Sequence, residues 1–134
     1  NKLKTVYSFG GNEMDNMLLM RLNLLLDAGE IDEDIIQIIK EFTEIIEREL
    51  SLTITEKNGS MLVTHMAMAL ARIKKGEEIL PLDDVLMGEV KTSAIYDRVP
   101  LLISKLEEKF NIEIPKSEFG YIALHLCNLN NINN

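Results

Sequence analysis

The sequence has 134 residues, of which 46% are hydrophobic and 27% are charged, and this length and composition suit one domain with a real core. Fourteen basic and twenty-two acidic side chains give a net charge of −8, which argues against direct binding of nucleic acid because no local basic patch offsets the total. Few aromatic residues, no Trp and only three Pro favour an all-α fold.

The chain has a single cysteine, which excludes an internal disulfide. It shows no signal peptide and no apolar run long enough to cross a bilayer. We therefore expect a cytoplasmic protein that does not bind membranes.

The N-terminal stretch "NKLKTVYSFGG", residues 1–11, has no helical period and ends in a glycine pair, which predicts a flexible lead-in. A single helical domain is expected to follow over residues 12–129. Its first helix should begin near Asn12, a good N-cap, and end before Gly29, which suits the position after a helix C-terminus.

Asp32 is the predicted N-cap of a second helix, whose apolar residues repeat at helical spacing until about residues 50–52. The stretch "TITEKNGS" interrupts the pattern. A third helix is expected from about Ser60 to Lys75, with Gly76 past its end, and this helix carries His65.

Residues 83–110 have a helical period but contain Pro100, which predicts two helical pieces. A last helix is expected over about residues 117–128, and it carries His125. The asparagine-rich residues 130–134 are polar enough to form a disordered tail.

The only two histidines, His65 and His125, both lie in otherwise apolar runs, "LVTHMAMALAR" and "EFGYIALHLCNL". Arg72 follows His65 by two helical turns at nearly the same angle, and its side chain leans back toward the helix N-terminus. Tyr121 and Glu118 precede His125 by one and two turns on one face. Each histidine therefore has polar companions on its own helix face.

Three interpretations of these histidines can be weighed from the residues alone. A histidine on an apolar helix is most often a packed residue satisfied by a carbonyl or carboxylate. His65, His125 and Glu118 could bind zinc, but the chain has no HxxxH pair and no cysteine cluster, so we expect no metal ion and no cofactor. An acyl-transfer enzyme is disfavoured because no Ser or Cys lies in a tight, glycine-flanked turn, and Cys127 points away from His125 as a small buried hydrophobe.

Two stretches, "HMAMALARIKKGEEI" and "IPKSEFGYIALHLCNL", resemble the first and second signatures of the PTS regulation domain (PRD), and they occur in the same order. That family is the helical regulatory module of bacterial sugar-operon antiterminators and transcription activators. The phosphotransferase system controls it by phosphorylating histidines. The resemblance covers about residues 13–128 and implies a compact bundle of about five helices that forms a homodimer, with both histidines near the dimer surface.

The resemblance also implies roles for particular residues. His65 and His125 take the places of the phosphorylated histidines, Arg72 that of a nearby arginine, and Glu118 and Gly120 belong to the second signature. We place Tyr121 with Arg72 and Glu118 as a supporting residue.

Thr64 is a departure from the family pattern, because family members often have an acidic residue just before the first histidine. This difference bears on how His65 is oriented or activated. A neutral imidazole is nevertheless a competent nucleophile for phosphorus near pH 7, and a phosphoryl group adds about −1.5 to −2 of charge.

The implied partners are a second copy of the chain and a phosphoryl donor, which is the histidine-containing phosphocarrier protein or a sugar permease component. The sequence has no GxxxxGK[ST] loop and no basic region, so it carries no recognisable ATPase, RNA-binding or DNA-binding domain. The alternative is an interaction domain that dimerises without being phosphorylated.

Overall fold

The computed structural model describes residues 14–133, with side chains for residues 14–129. Within this range the chain forms six α-helices, one short 3-10 helix and no strand, which confirms the predicted all-α class. The helices are α1 (Asn16–Asp27), α2 (Glu33–Leu50), α3 (Glu56–Lys75), α4 (Asp84–Val90), α5 (Val99–Phe110) and α6 (Lys116–Asn133), and the 3-10 helix is Tyr96–Arg98.

The first helix begins later than the sequence suggests. Its N-cap is Asp15, whose Oδ1 accepts hydrogen bonds from the backbone N–H groups of Met17 at 2.7 Å and Leu18 at 3.3 Å. A carboxylate at this position also complements the positive end of the helix dipole. Asn12, the predicted cap, and the lead-in over residues 1–11 lie outside the described residues.

The predicted signals at the ends of α1, α2 and α3 are confirmed. Asp32 caps α2 by accepting a hydrogen bond of 2.9 Å from the Ile35 N–H. Gly29 and Gly76 follow α1 and α3 with φ values of 77° and 74°, a left-handed conformation that glycine adopts without strain.

The start of α3 was predicted wrongly, because residues 56–60 are helical rather than a break. Thr55 caps the helix in a capping box with Asn58, and each side chain bonds the other residue's backbone N–H. Gly59 looks like a helix breaker in sequence, yet its missing side chain is required. A Cβ there would lie 2.3 Å from Ile54 Cγ2.

The region of residues 83–110 does divide into two helices, as predicted, but the break precedes Pro100. Residues 91–98 form turns and the 3-10 helix, and Pro100 then lies in the first turn of α5, where its missing N–H costs no helical hydrogen bond. The last helix continues to Asn133, so residues 130–133 are helical rather than the predicted tail.

Helix α3 lies at the centre of the bundle and packs against α1, α2 and α6. α5 packs on α2, and α4 packs on α6. The buried core draws on all these helices, with Leu18, Leu22, Ile39, Phe42, Ile46, Met66, Leu102, Leu106, Ile122 and Leu126 among its fully buried side chains. The α3–α6 contact brings the two histidine-bearing stretches together.

The loop between α3 and α4 returns to α6 at Gly120. A Cβ on Gly120 would lie 2.7 Å from Leu82 Cβ, so only glycine permits this approach. Cys127, further along α6, is 4% exposed, as expected for a small buried hydrophobe. None of the helices within residues 14–133 combines the length and apolarity that a membrane span needs.

Candidate functional site

The two histidine rings are in contact between α3 and α6. The ring centroids of His65 and His125 are 4.8 Å apart, with their planes tilted by 41°. The Tyr121 ring stacks on His65 at 5.7 Å and 24°. Tyr121, predicted as a companion of His125, thus contacts the other histidine, and the His65 ring contacts two aromatic rings from α6.

Arg72 and Glu118 form a bidentate pair close to these rings. Arg72 Nε donates to Glu118 Oε2, and Arg72 Nη2 donates to Glu118 Oε1, each at 3.0 Å. The Glu118 side chain is 1% exposed and that of Arg72 is 24% exposed. The sequence assigned Arg72 to His65 and Glu118 to His125, whereas the structure pairs the two supporting residues mainly with each other.

This pairing follows from the direction of the helices. His65 meets His125, while Arg72, later in α3, meets Glu118, earlier in α6. The two helices are therefore antiparallel, and side chains that share a face within one helix find their partners on the other. The helical period identifies the face of each residue but not the residue opposite it.

The Nε2 atom of His65 is buried and has no hydrogen-bond partner within the described residues. Its nearest acidic atom is Glu118 Oε1 at 3.8 Å, which is too far for a hydrogen bond. The lone pair or proton on this nitrogen is therefore not engaged, and the imidazole faces a carboxylate without bonding it.

Both imidazoles are neutral near pH 7. Burial lowers the pKa of His65 from 6.5 to about 4, His125 and Arg72 also lower it, and Glu118 opposes the change. Burial likewise lowers the pKa of His125. Since His65 is uncharged, its contact with Glu118 is not an ion pair at neutral pH, and a ring nitrogen of each histidine keeps a free lone pair.

Two hydroxyl groups on residues adjacent in sequence to His65 and Glu118 are also unsatisfied. Thr64 Oγ1 and Ser117 Oγ are buried and lack hydrogen-bond partners among the residues that the structure describes. Their residues directly precede His65 and Glu118 in sequence. The Thr64 hydroxyl therefore does not bond the His65 imidazole, which packs on the rings of Tyr121 and His125.

A cavity of ≈ 270 Å³ opens beside His125. Its lining residues are Lys57, Asn58, Ser60, Met61, Leu62, His125 and Asn128. His65 is not among them. The sequence did not reveal this cavity, because residues 57–60 were taken for a break rather than the first turns of α3.

Metal ligands are not grouped at this site. Among residues 14–129, no three or more His, Cys, Asp or Glu side chains are placed to hold a metal ion. The chemistry available at the site is that of two neutral imidazoles and a guanidinium–carboxylate pair.

Comparisons with known proteins extend this description. YhfY of Escherichia coli (strain K12), an uncharacterized protein, is 39% identical over 109 residues, which cover 81% of this chain and 91% of YhfY. The transcriptional regulatory protein LevR of Bacillus subtilis (strain 168) is 29% identical over 96 residues, which cover 70% of this chain and 10% of LevR. No solved structure matches the chain.

The match to a protein family covers the residues that form the site. Residues 33–129, which include both histidines, Arg72 and Glu118, match the PRD domain. This match covers more than half of the chain, and the resemblance expected from the two histidine stretches is confirmed. The chain belongs to the PRD domain family.

Proposed function

We propose that this chain is a regulatory domain that the phosphotransferase system controls by phosphorylating His65 and His125. The modification would tune dimerisation and, through it, transcription or antitermination of a sugar-utilisation operon. The main support is the contact between two neutral imidazoles at the α3–α6 interface of a PRD domain, with ring centroids 4.8 Å apart. Similarity to LevR, a transcriptional regulatory protein, supports the same class of function.

The chemical step requires an imidazole with a free lone pair. The ring nitrogen attacks phosphorus, the bond between phosphorus and the donor's imidazole breaks, and the electron pair of that bond stays on the donor. The proton lost from the acceptor ring balances the proton that the donor ring takes up. Lowered pKa values favour this step because they keep both rings unprotonated near pH 7.

Phosphorylation would change the charge of a buried interface. A phosphoryl group brings about −1.5 to −2 of charge. At His65 it would meet Glu118, whose carboxylate is already buried and held by Arg72. The α3–α6 contact would then exist in two arrangements, and the charge of the phosphoryl group would shift the equilibrium between them.

The proposed partners are the histidine-containing phosphocarrier protein or a sugar permease component, and a second copy of the chain. These donors imply a cytoplasmic location. Exposed apolar residues on α1 support self-association, since Met17, Met20 and Leu24 are 54%, 56% and 69% exposed and lie on neighbouring turns.

A second function is an interaction domain that is never phosphorylated. The burial of His65 Nε2 beside a carboxylate favours this alternative, because that nitrogen is closed to a donor in the described arrangement. The two functions differ in whether phosphate is found on histidine.

Labelling with the phosphotransferase proteins and phosphoenolpyruvate tests the proposal. The wild-type chain should acquire acid-labile, base-stable phosphate. A His65→Ala plus His125→Ala double substitution should abolish the label while helicity by circular dichroism is retained, and each single substitution should leave part of it. An unlabelled wild-type chain, in a mixture where the phosphocarrier protein itself is labelled, would favour the interaction domain.

A further inference from the structure

We infer that the two histidines are unequal acceptors: His125 is phosphorylated first, with its phosphoryl group in the cavity beside Lys57 and Ser60, and Glu118 keeps His65 closed. This inference rests on the proposed function and deepens it. It assigns a phosphoryl-binding role to Lys57 and Ser60, and a gating role to Glu118.

The cavity beside His125 has one cation and no carboxylate among its lining residues, and Met61 and Leu62 make part of its wall apolar. Its volume of ≈ 270 Å³ is several times the share of one liquid water, about 30 Å³. Lys57 is exposed and forms no ion pair with any residue that the structure describes, so its ammonium group is free to face a phosphoryl oxygen. The Ser60 hydroxyl and the Asn128 amide supply neutral donors.

The position of the cavity at the N-terminus of α3 also favours a negatively charged group. Lys57 and Asn58 belong to the first turn of α3, where the helix dipole favours negative charge. Asn58 itself is already engaged, because its amide caps α3 and donates to the Thr53 carbonyl. Lys57 and Ser60 are therefore the lining residues on which the inference depends.

The surroundings of His65, in contrast, disfavour an anionic group. Its Nε2 atom is buried and lies 3.8 Å from Glu118 Oε1. A phosphoryl group on this nitrogen would place two anionic groups in contact inside the protein, where their repulsion is weakly screened. Two hydrogen bonds from Arg72 hold the Glu118 carboxylate in this position, so it cannot simply rotate away.

Potassium phosphoramidate tests this ordering without a protein donor. An imidazole lone pair attacks the phosphorus of the reagent, the phosphorus–nitrogen bond breaks, and ammonia leaves with the proton lost by the ring. Because the reagent is small, the rate at each histidine reports local access and charge rather than docking. Fragmentation mass spectrometry under neutral conditions resolves the two sites.

On the wild-type chain, we expect the initial rate at His125 to exceed that at His65 by about tenfold, from the like-charge contact at His65. Lys57→Gln should lower the His125 rate by about three- to tenfold, a range that allows for the exposure of the lysine. The matched control is Lys91→Gln, which removes another exposed lysine without an ion pair among the described residues and should change nothing.

Glu118→Gln tests the gate, because it removes the charge with almost no change in shape. It should raise the rate at His65 several-fold and leave His125 nearly unchanged. Glu108→Gln, at an exposed glutamate of α5, is the matched control. Circular dichroism and thermal unfolding verify that each variant is folded, and a Ser60→Ala variant provides a further test of the cavity that needs no change of charge.

The outcomes separate the two proposals. Faster labelling of His65, equal effects of Lys57→Gln and Lys91→Gln, or no labelling of either histidine by phosphoramidate would overturn the inference. If phosphoramidate labels His125 in a Lys57-dependent manner but the phosphotransferase proteins label neither histidine, the proposed function fails while the difference in reactivity stands.

Discussion

Arg72 and Glu118, 46 positions apart in the sequence, join α3 to α6 through two hydrogen bonds of 3.0 Å each. Glu118 is 1% exposed, so the arginine compensates a carboxylate that has almost no access to water. The pair therefore links the stability of the fold to the surroundings of His65.

Removing only the arginine of this pair should destabilise the fold. We expect Arg72→Ala to lower the free energy of unfolding by about 2–4 kcal/mol, because it leaves a buried carboxylate without its partner. Urea unfolding followed by circular dichroism measures the change. A double Arg72→Met plus Glu118→Leu variant should recover much of the loss, and a double variant as unstable as Arg72→Ala would contradict this account.

An exposed ion pair provides the control. Lys109 Nζ lies 2.7 Å from Glu41 Oε1, and the two side chains are 52% and 26% exposed. Lys109→Ala should cost only about 0–1 kcal/mol. A similar cost for Lys109→Ala and Arg72→Ala would mean that burial of Glu118 does not matter.

Stability should depend on the protonation of His65. Burial above all, together with His125 and Arg72 and against the opposing effect of Glu118, lowers the pKa of His65 from 6.5 to about 4, so the unfolded chain binds the proton more tightly. The free energy of unfolding should therefore fall as the pH drops, by about 2 kcal/mol between about pH 7.5 and pH 5 from this residue alone. Urea unfolding at a series of pH values measures the slope.

The matching control for this pH dependence is His65→Gln, which keeps a polar side chain but does not titrate. Its pH slope over the same range should be clearly shallower, while His125, whose pKa is also lowered, still contributes. An identical slope in the wild type and in His65→Gln would show that His65 is not the source.

Two glycines should respond oppositely to the same substitution. Gly120→Ala places a Cβ 2.7 Å from Leu82 Cβ, which lies next to the backbone and cannot swing aside, so we expect a loss of about 1–3 kcal/mol. Gly88→Ala meets nothing within 4 Å in α4 and should be neutral or stabilising by up to about 1 kcal/mol. Thermal unfolding compares them, and equal effects would refute the close contact.

Self-association should depend on the exposed face of α1. We expect light scattering at tens of micromolar to give the mass of a dimer, and Met20→Glu or Leu24→Glu to give that of a monomer, because a charge would replace an apolar contact. Leu80→Glu is the control, since Leu80 is 84% exposed but lies in the loop before α4. A monomeric wild type would rule out a stable homodimer under these conditions.

Much of the fold could be predicted from local sequence signals. Asp32, Gly29 and Gly76 mark helix ends through caps and backbone conformations that depend on one or two residues, and Pro100 predicted a divided helix. The start of α3 was missed because Gly59 is unfavourable in an isolated helix. Only the contact with Ile54, a tertiary feature, explains why glycine is needed there.

The site was readable only in part. The sequence grouped Arg72 with His65, and Glu118 and Tyr121 with His125, whereas the structure brings all five to the α3–α6 contact. Their pairing was not predictable, because helical periodicity does not fix how two helices are aligned. Lys57 and the cavity beside His125 also depend on that alignment.

The contact between Leu82 and Gly120 has a consequence for how the molecule opens. Leu82, in the loop between α3 and α4, lies against α6 and is 8% exposed, so the N-terminal half of α6 cannot separate from the bundle without uncovering this side chain. Opening of α6 at Gly120 therefore carries the free-energy cost of exposing Leu82. A Leu82→Ala variant should then speed amide hydrogen exchange around Gly120 and leave the exposed turn at Gly29 unchanged.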